Sequence, residues 1–313
     1  MNKLTKIGLT ALAGSLMVGT VNAADWSISG TSSMTFSGGD DNATTGNGWS
    51  MGDSLTFSAS GDVNDIGITV SYELDGQGQA TDTFDDHSIS FDLGDAGTLV
   101  FAGHGGSSAL SARDDVMPTA KEEPWDVVTG ADAGIINGAA AENQFNYTYS
   151  HDSGFLFNMA YNNADAAANA VSYTDFALEY TGVEGLRVGY AFGDVETTAG
   201  TEQEESTMFA TYATGGFTVG VQTSENDRSG NTTADTESSG FGISYQVNDD
   251  LAVSYGAHSI EYATGDDQEA SGFSISYTMG SMALSGAYNS VDNIANTATN
   301  DRSAYELGLT FAF

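Results

Sequence analysis

The sequence predicts an all-β fold: a sixteen-stranded antiparallel transmembrane β-barrel with short periplasmic turns and long extracellular loops. Three observations carry that expectation. Apolar and small polar residues alternate with period two along nearly the whole chain, sixteen such runs can be counted, and the connections between them are alternately short and long. A strand sends successive side chains to opposite faces, so each run has one apolar and one polar face. A membrane barrel requires an even number of strands, apolar outside and polar inside, with short turns at one rim and long loops at the other. Closure also removes the sheet edges that lipid cannot hydrogen-bond. A soluble double sheet accounts for the alternation but gives no reason to gather every long loop at one end.

The first residues form an address. Lys3 and Lys6 precede the apolar run IGLTALAGSLMVGTV, which closes on Asn22-Ala23-Ala24. That order reads as a secretory signal peptide, 1–23, cleaved after Ala23. The run is shorter than the roughly 20 apolar residues that a spanning helix needs. The mature chain, 24–313, is then a single barrel domain. In it Trp26, Ile28, Met34 and Phe36 share one parity against Ser27, Ser29, Thr31, Ser33 and Thr35. Ile66 to Leu74 and Tyr305 to Phe313 repeat the pattern. The spacing predicts strands over 26–36, 54–61, 66–74, 87–93, 98–102, 143–150, 155–161, 173–180, 186–193, 206–213, 217–223, 238–247, 251–262, 270–279, 282–289 and 303–313. With their ends, these approach the roughly 9–11 residues of a tilted membrane strand. Short connections such as Asp62–Asp65, Gly94–Gly97 and Gly280-Ser281 are rich in Gly and Asp, as tight hairpins require. The long ones are polar, and both termini fall on the short-turn side.

Composition removes several function classes. The 313 residues hold seven Lys and Arg against 43 Asp and Glu, with 39 Gly, two Pro and no Cys. Without cysteine there are no disulfides, thiolate metal sites or cysteine nucleophiles. A formal charge of −36 argues against a nucleic-acid partner, which needs a basic surface to replace its counterions. Removal of the signal peptide takes Lys3 and Lys6, leaving five basic residues against all 43 acids.

One connection breaks the rhythm. Residues 103–142 show no sustained alternation and contain both prolines, Pro118 and Pro124. Arg113, Lys121 and Trp125 lie there among Asp114, Asp115, Glu122, Glu123 and Asp126. Structureless loops beyond about 12–15 residues are uncommon and usually functional.

With its signal peptide, sixteen strands, extended third long loop and closing YELGLTFAF, the chain resembles the general, trimeric, sixteen-stranded porins of Gram-negative outer membranes, over essentially the whole mature length. The resemblance implies that the third long loop folds inward as a constriction, with Arg113, Asp114, Asp115, Lys121, Glu122, Glu123 and Asp126 the candidates for the narrow zone. It further implies a homotrimer in outer-membrane lipid. Phe313 would be read as an assembly signal by the barrel-assembly machinery. The chain departs from the family in its basic residues: general porins oppose the acidic third loop with an arginine cluster, whereas here Arg187 is the one arginine on an inward strand position. A strong transverse field is therefore not expected. The turn Thr181–Gly185, centred on Val183, would place Glu179 directly opposite Arg187 as a cross-strand pair near the periplasmic mouth.

Other chemistry is thin. Gly103-His104-Gly105-Gly106 lacks the helix and Lys of a phosphate loop, and His87, His104, His151 and His258 have no metal-site spacing. The doublets Asp40-Asp41, Asp85-Asp86, Glu204-Glu205 and Asp266-Asp267 read as solvated charge, although carboxylate oxygens suit weak Ca²⁺ or Mg²⁺ binding. A hydrolase would need a nucleophile–base constellation, and no GxSxG elbow exists. The inward parity is mostly Ser, Thr, Gly, Ala and Asn, with Tyr173 and Phe209 as exceptions. That suits a water-filled passive channel for small hydrophilic solutes, cation-preferring and without a cofactor. The competing reading is a plugged barrel serving as adhesin or receptor.

Overall fold

The computed structural model describes residues 25–40, 47–75, 85–134, 142–163, 172–196, 202–228 and 235–313. The signal peptide expected at 1–23 and part of the third loop, 135–141, lie outside the described residues. Sixteen strands run in order: β1 (Asp25–Gly39), β2 (Trp49–Val63), β3 (Ile66–Asp75), β4 (His87–Asp92), β5 (Thr98–His104), β6 (Gln144–Ser150), β7 (Phe155–Asn162) and β8 (Tyr173–Tyr180). They continue as β9 (Leu186–Glu196), β10 (Glu202–Thr214), β11 (Phe217–Arg228), β12 (Thr236–Gln246), β13 (Leu251–Tyr262), β14 (Gln268–Met279), β15 (Met282–Asp292) and β16 (Arg302–Ala312). Each pairs antiparallel with its sequence neighbours, and β1 pairs with β16 to close the barrel. Phe313 completes the seam by exchanging backbone hydrogen bonds with Gly30 at 2.9 and 3.0 Å.

The alternation sorts as expected. Ile28, Met34, Phe273 and Leu307 stand exposed on the outer face, where an apolar belt meets lipid. Inward positions carry hydroxyls, as in the pairs Thr31–Ser54 at 3.2 Å and Ser254–Ser274 at 2.6 Å. The β2–β3 turn is two residues, Asn64 and Asp65, with φ of 52° and 65°, the left-handed pair that a tight hairpin demands. Several strands run further toward the long-loop rim than the alternation suggests. β2 begins at Trp49, β10 at Glu202, and β11 reaches Arg228. In β10 and β11 the extensions are polar on both faces, so the ladder continues where the apolar signal has ended.

A barrel wall one strand thick has no core of its own. The buried apolar clusters lie instead where the third loop meets the inner wall. One joins Ala109 and Leu110 to Ala160, Tyr173, Ala177 and Ala191. The other joins Met117, Trp125 and Val128 to Ala270, Val291, Ile294 and Ala304. The third long loop is folded into the barrel.

Candidate functional site

The loop leaves β5 at Gly105 and crosses the inner wall from β7 to β16, held by polar side chains at inward positions of successive strands. Asp175 on β8 is fully buried, and its carboxylate accepts the N–H groups of Ala109 at 3.0 Å and Leu110 at 3.2 Å. Arg113 sits on a one-turn 3₁₀ segment, Ser111–Arg113. Its Nε donates to Glu179 Oε1 at 2.7 Å, and its Nη1 to Asn158 Oδ1 at 2.9 Å and the Ala109 carbonyl at 3.0 Å. Gln222 on β11 donates to the carbonyls of Arg113 and Asp114 and accepts from the N–H of Val116 at 3.1 Å. Further on, Ser254 Oγ accepts the N–H of Ala120 at 2.9 Å and Ser274 Oγ that of Lys121 at 3.0 Å. Asn289 bonds the Glu123 carbonyl, and Gln268 exchanges two hydrogen bonds with the backbone of Asp132. Arg302 reaches the Thr129 carbonyl at 3.2 Å. Backbone amides buried against a wall need partners, and each of these strands supplies one.

Three expectations need correction. Arg187 is not the one arginine on an inward strand position: Arg228 ends β11 and Arg302 begins β16, at the parity of the inward Gln222 and Glu306, because both ladders run past the end of the apolar alternation. Arg113, expected in the narrow zone, is buried in the wall with 6% of its surface exposed. A guanidinium that meets a carboxylate, an amide oxygen and a carbonyl at once is better satisfied there than in the water path. The Glu179–Arg187 pair forms, with Nε to Oε2 at 2.6 Å and Nη2 to Oε1 at 3.1 Å, but diagonally. Glu179 stands opposite Gly189, because the hairpin is centred on Glu184 rather than Val183. The long arginine side chain spans the two-residue offset, and its guanidinium also lies 4.7 Å from the centroid of the Phe209 ring. Glu179 thus joins two arginines, so the cross-strand pair is also the anchor of the loop.

The remaining predicted residues gather on the loop. Asp114, Asp115, Glu122 and Glu123 are half-buried, and Lys121 and Asp126 are exposed. Lys121 pairs with Glu122 and lies 3.9 Å from Glu306 on β16. Carboxylate oxygens of Glu122, Glu123 and Asp126 come within 4.8 Å of one another. Burial, then the neighbouring Asp115 charge, raises the Asp114 pKa to about 6. Burial also raises Asp115 to about 6, helped by the Asp126 charge and opposed by a hydrogen bond with Glu123. Glu123 is pushed to about 10 by burial, by its hydrogen bond with Asp126 and by the charges of Asp115 and Asp126. At neutral pH Glu123 therefore holds a proton, while the two aspartates are mostly charged.

Sequence reasoning did not single out Asp175, Asn158, Gln222, Asn289, Ser254, Ser274 or Gln268. The available signal was weak: carboxylates or amides at inward positions on strands otherwise lined by Ala, Gly and Ser. Inward positions of β1 to β4 carry mostly Ser and Thr, with Glu73, Asp75 and Asp92 at the same parity, and no Lys or Arg occurs anywhere between Asp25 and Ala112. Elsewhere, Asp85, Asp86 and His104 bring ligand-type atoms together at the rim between β4 and β5. Phe313 stands exposed on the outer face beside Phe311, ring centroids 6.1 Å apart.

A family model described as Gram-negative porin matches residues 8–256 and 205–313. Among solved structures, the chain is similar to an anion-selective porin from Comamonas acidovorans, with 14% identity, TM-score 0.70, and coverage of 93% of this chain and 100% of that one. It is also similar to a loop L8 deletion mutant of OmpT, an outer membrane protein of Vibrio cholerae, with 15% identity, TM-score 0.72 and coverage of 93% and 100%. The trimer form of in-vitro folded Vibrio cholerae OmpT matches at 13% identity, TM-score 0.68 and coverage of 93% and 100%. A search of curated proteins finds no match. At these identities the structural likeness speaks for the fold.

Proposed function

The chain belongs to the Gram-negative porins, passive channels of the outer membrane, and from that premise we propose that it admits small hydrophilic solutes with a preference for cations. The observation that carries the preference is the fate of the basic residues. Arg113 and Arg187 share the one carboxylate of Glu179, Lys121 pairs with Glu122, and Arg302 contacts a loop carbonyl. Arg228 is exposed at the end of β11, at the rim. Among the described residues the cations Arg113, Lys121, Arg187 and Arg302 are each tied to a carboxylate or a carbonyl, while Asp114, Asp115 and Asp126 lie on the inward-folded loop. Carboxylates favour cations in a pore, and low-dielectric walls focus their field.

The Comamonas acidovorans porin is anion-selective by its description. Selectivity follows the charges at the narrow zone and not the barrel, so a shared fold is compatible with opposite preference. Without a basic wall facing the loop, the transverse field is weak and discrimination among neutral solutes rests on size. The trimer form of Vibrio cholerae OmpT supports a homotrimer here as well. We extend the proposal to export through a signal peptide cleaved after Ala23, recognition of Phe313 during assembly, and action as a channel rather than an enzyme, without a cofactor.

Liposome swelling with purified protein tests the channel against a plugged barrel. Graded uptake of neutral sugars, fast for small and slow for large, is expected. Impermeability of folded barrels to the smallest sugar would favour an adhesin or receptor.

A further inference from the structure

Pro118 and Pro124, the chain's two prolines, both lie on the loop and both rest on glycine. Gly220, Gly242, Gly256 and Gly272 are direct register partners across β11, β12, β13 and β14. They form a row about 14 Å long at the usual strand spacing. A Cβ at Gly220 would lie 2.5 Å from Pro118 Cδ, and one at Gly256 would lie 2.8 Å from Pro124 Cγ. At Gly242 the nearest atom would be the Pro118 carbonyl oxygen at 3.0 Å, and at Gly272 the Pro124 Cα stands 3.1 Å away. None of the four has a positive φ, so the backbone there does not require glycine. What glycine supplies is room, at a cost in strand stability that otherwise has no return.

Proline suits the other side of the contact. The strand amides are already paired in the ladder, and a proline ring brings no N–H that would need a partner against them. Ser254 and Ser274, two residues from the glycines on the same inward face, take the amides of the intervening loop segment. Asn289, next in the row after Gly272, holds the Glu123 carbonyl.

We propose that this glycine row is a seat whose depth fixes how far the loop projects into the lumen, so that four residues lacking side chains set the size of the opening. The inference rests on the channel reading for its consequence but not for its geometry. Carbon atoms pack at about 3.5–4.0 Å, so a methyl at Gly220 or Gly256 must lift the loop by about 1 Å. Lifting carries the carboxylates of the loop toward the opposite wall and narrows the passage.

The test uses the full-length chain in detergent and in planar bilayers, with Gly220→Ala, Gly256→Ala and the larger Gly256→Val. Gly308→Ala is the control, since its Cβ would meet only the movable Ser285 hydroxyl and the Thr35 methyl. The expected result is a stepwise fall in single-channel conductance from wild type through Ala to Val. Pro118→Gly should reverse the fall in the Gly220 variant, and Pro124→Gly in the Gly256 variant, with no cross-rescue. A second readout needs no current: Trp125 is buried against His258, ring centroids 4.2 Å apart, whereas Trp26 and Trp49 are on the outer face. In a Trp26→Phe, Trp49→Phe background, acrylamide quenching of Trp125 should rise in the Ala variants and fall back when the matching proline is trimmed. Wild-type conductance and quenching in folded Ala variants, or a change that the matching proline does not reverse, would overturn the proposal. If an Ala variant does not assemble, assembly recovered only by trimming its own proline supports the seat, and failure that trimming does not relieve overturns it. A wild-type barrel that carries no current would defeat the channel reading, leaving the quenching series to decide the seat.

Discussion

Replacing Arg113 with Met keeps the length of the side chain and removes its charge from the anchor. In the native barrel its guanidinium and the Glu179 carboxylate are each 7% exposed and 2.7 Å apart. Breaking a buried pair by deleting one partner costs about 3–5 kcal/mol, chiefly because a charge is left alone. Here Glu179 retains Arg187 at 2.6 Å, which places the cost at the lower end, about 3 kcal/mol. That shifts the equilibrium between docked and released loop by about a hundredfold, at 1.4 kcal/mol per factor of ten. The strands do not depend on the anchor, so the barrel itself should survive. Limited proteolysis between residues 105 and 134 should accelerate, and single-channel traces should become noisier with a larger mean conductance. Glu179→Gln should be worse, since it strands two cations, and the double variant should cost less than the sum of the singles. Arg113→Met barrels with wild-type loop proteolysis and wild-type current noise would refute the anchoring role of the pair.

Three further outcomes follow from the loop. Asp114 and Asp115 are charged above about 6 and lose charge below it, so cation preference, read from reversal potentials, should fall across pH 6 rather than near 4. In Asp114→Asn, Asp115→Asn that step should vanish. Glu123 has a raised pKa, so the docked loop binds its proton more tightly than a free chain would; this contribution is fully present below the ordinary 4.5 and is lost as pH rises through about 10. Glu123→Gln should therefore leave neutral-pH selectivity unchanged and abolish an alkaline rise in Trp125 quenching. Removing both serine anchors, Ser254→Ala with Ser274→Ala, strips the Ala120 amide of its acceptor and leaves that of Lys121 only Thr119 Oγ1 at 3.3 Å, and should raise loop proteolysis while heat-modifiable gel mobility of the barrel stays intact.

The barrel was legible because each strand writes its two faces into alternate residues, and the wall is one strand thick. Ile66 to Leu74 needs no partner to reveal which side meets lipid. The loop was legible only as an interruption. Its docking depends on pairs far apart in sequence, such as Ala109 with Asp175 or Val116 with Gln222, which no local pattern encodes. Arg113 looked like a pore charge because a charged residue in a polar loop is normally solvated. Its burial is evident only once Glu179 and Asn158 are brought beside it. The Glu179–Arg187 register was missed by one position in the turn, which moves the partner by two residues on the same face and so preserves the pair while changing its geometry. The pKa values of Asp115 and Glu123 depend on burial and mutual repulsion within the folded loop, and neither is visible in a string of acids.

The central claim is cation preference set by loop carboxylates with no opposing basic wall. The reversal potential of the wild-type channel across a KCl gradient, in dilute salt at neutral pH, tests it most directly. Dilute salt matters because at about 0.15 M the screening length is already about 8 Å. The expected potential has the sign of K⁺ selectivity, shrinks as salt is raised, and shrinks again below pH 6. A potential with the sign of Cl⁻ selectivity in dilute neutral salt would contradict the account, because it would require Arg113, Lys121 or Arg187 to govern the narrow zone in spite of their carboxylate partners.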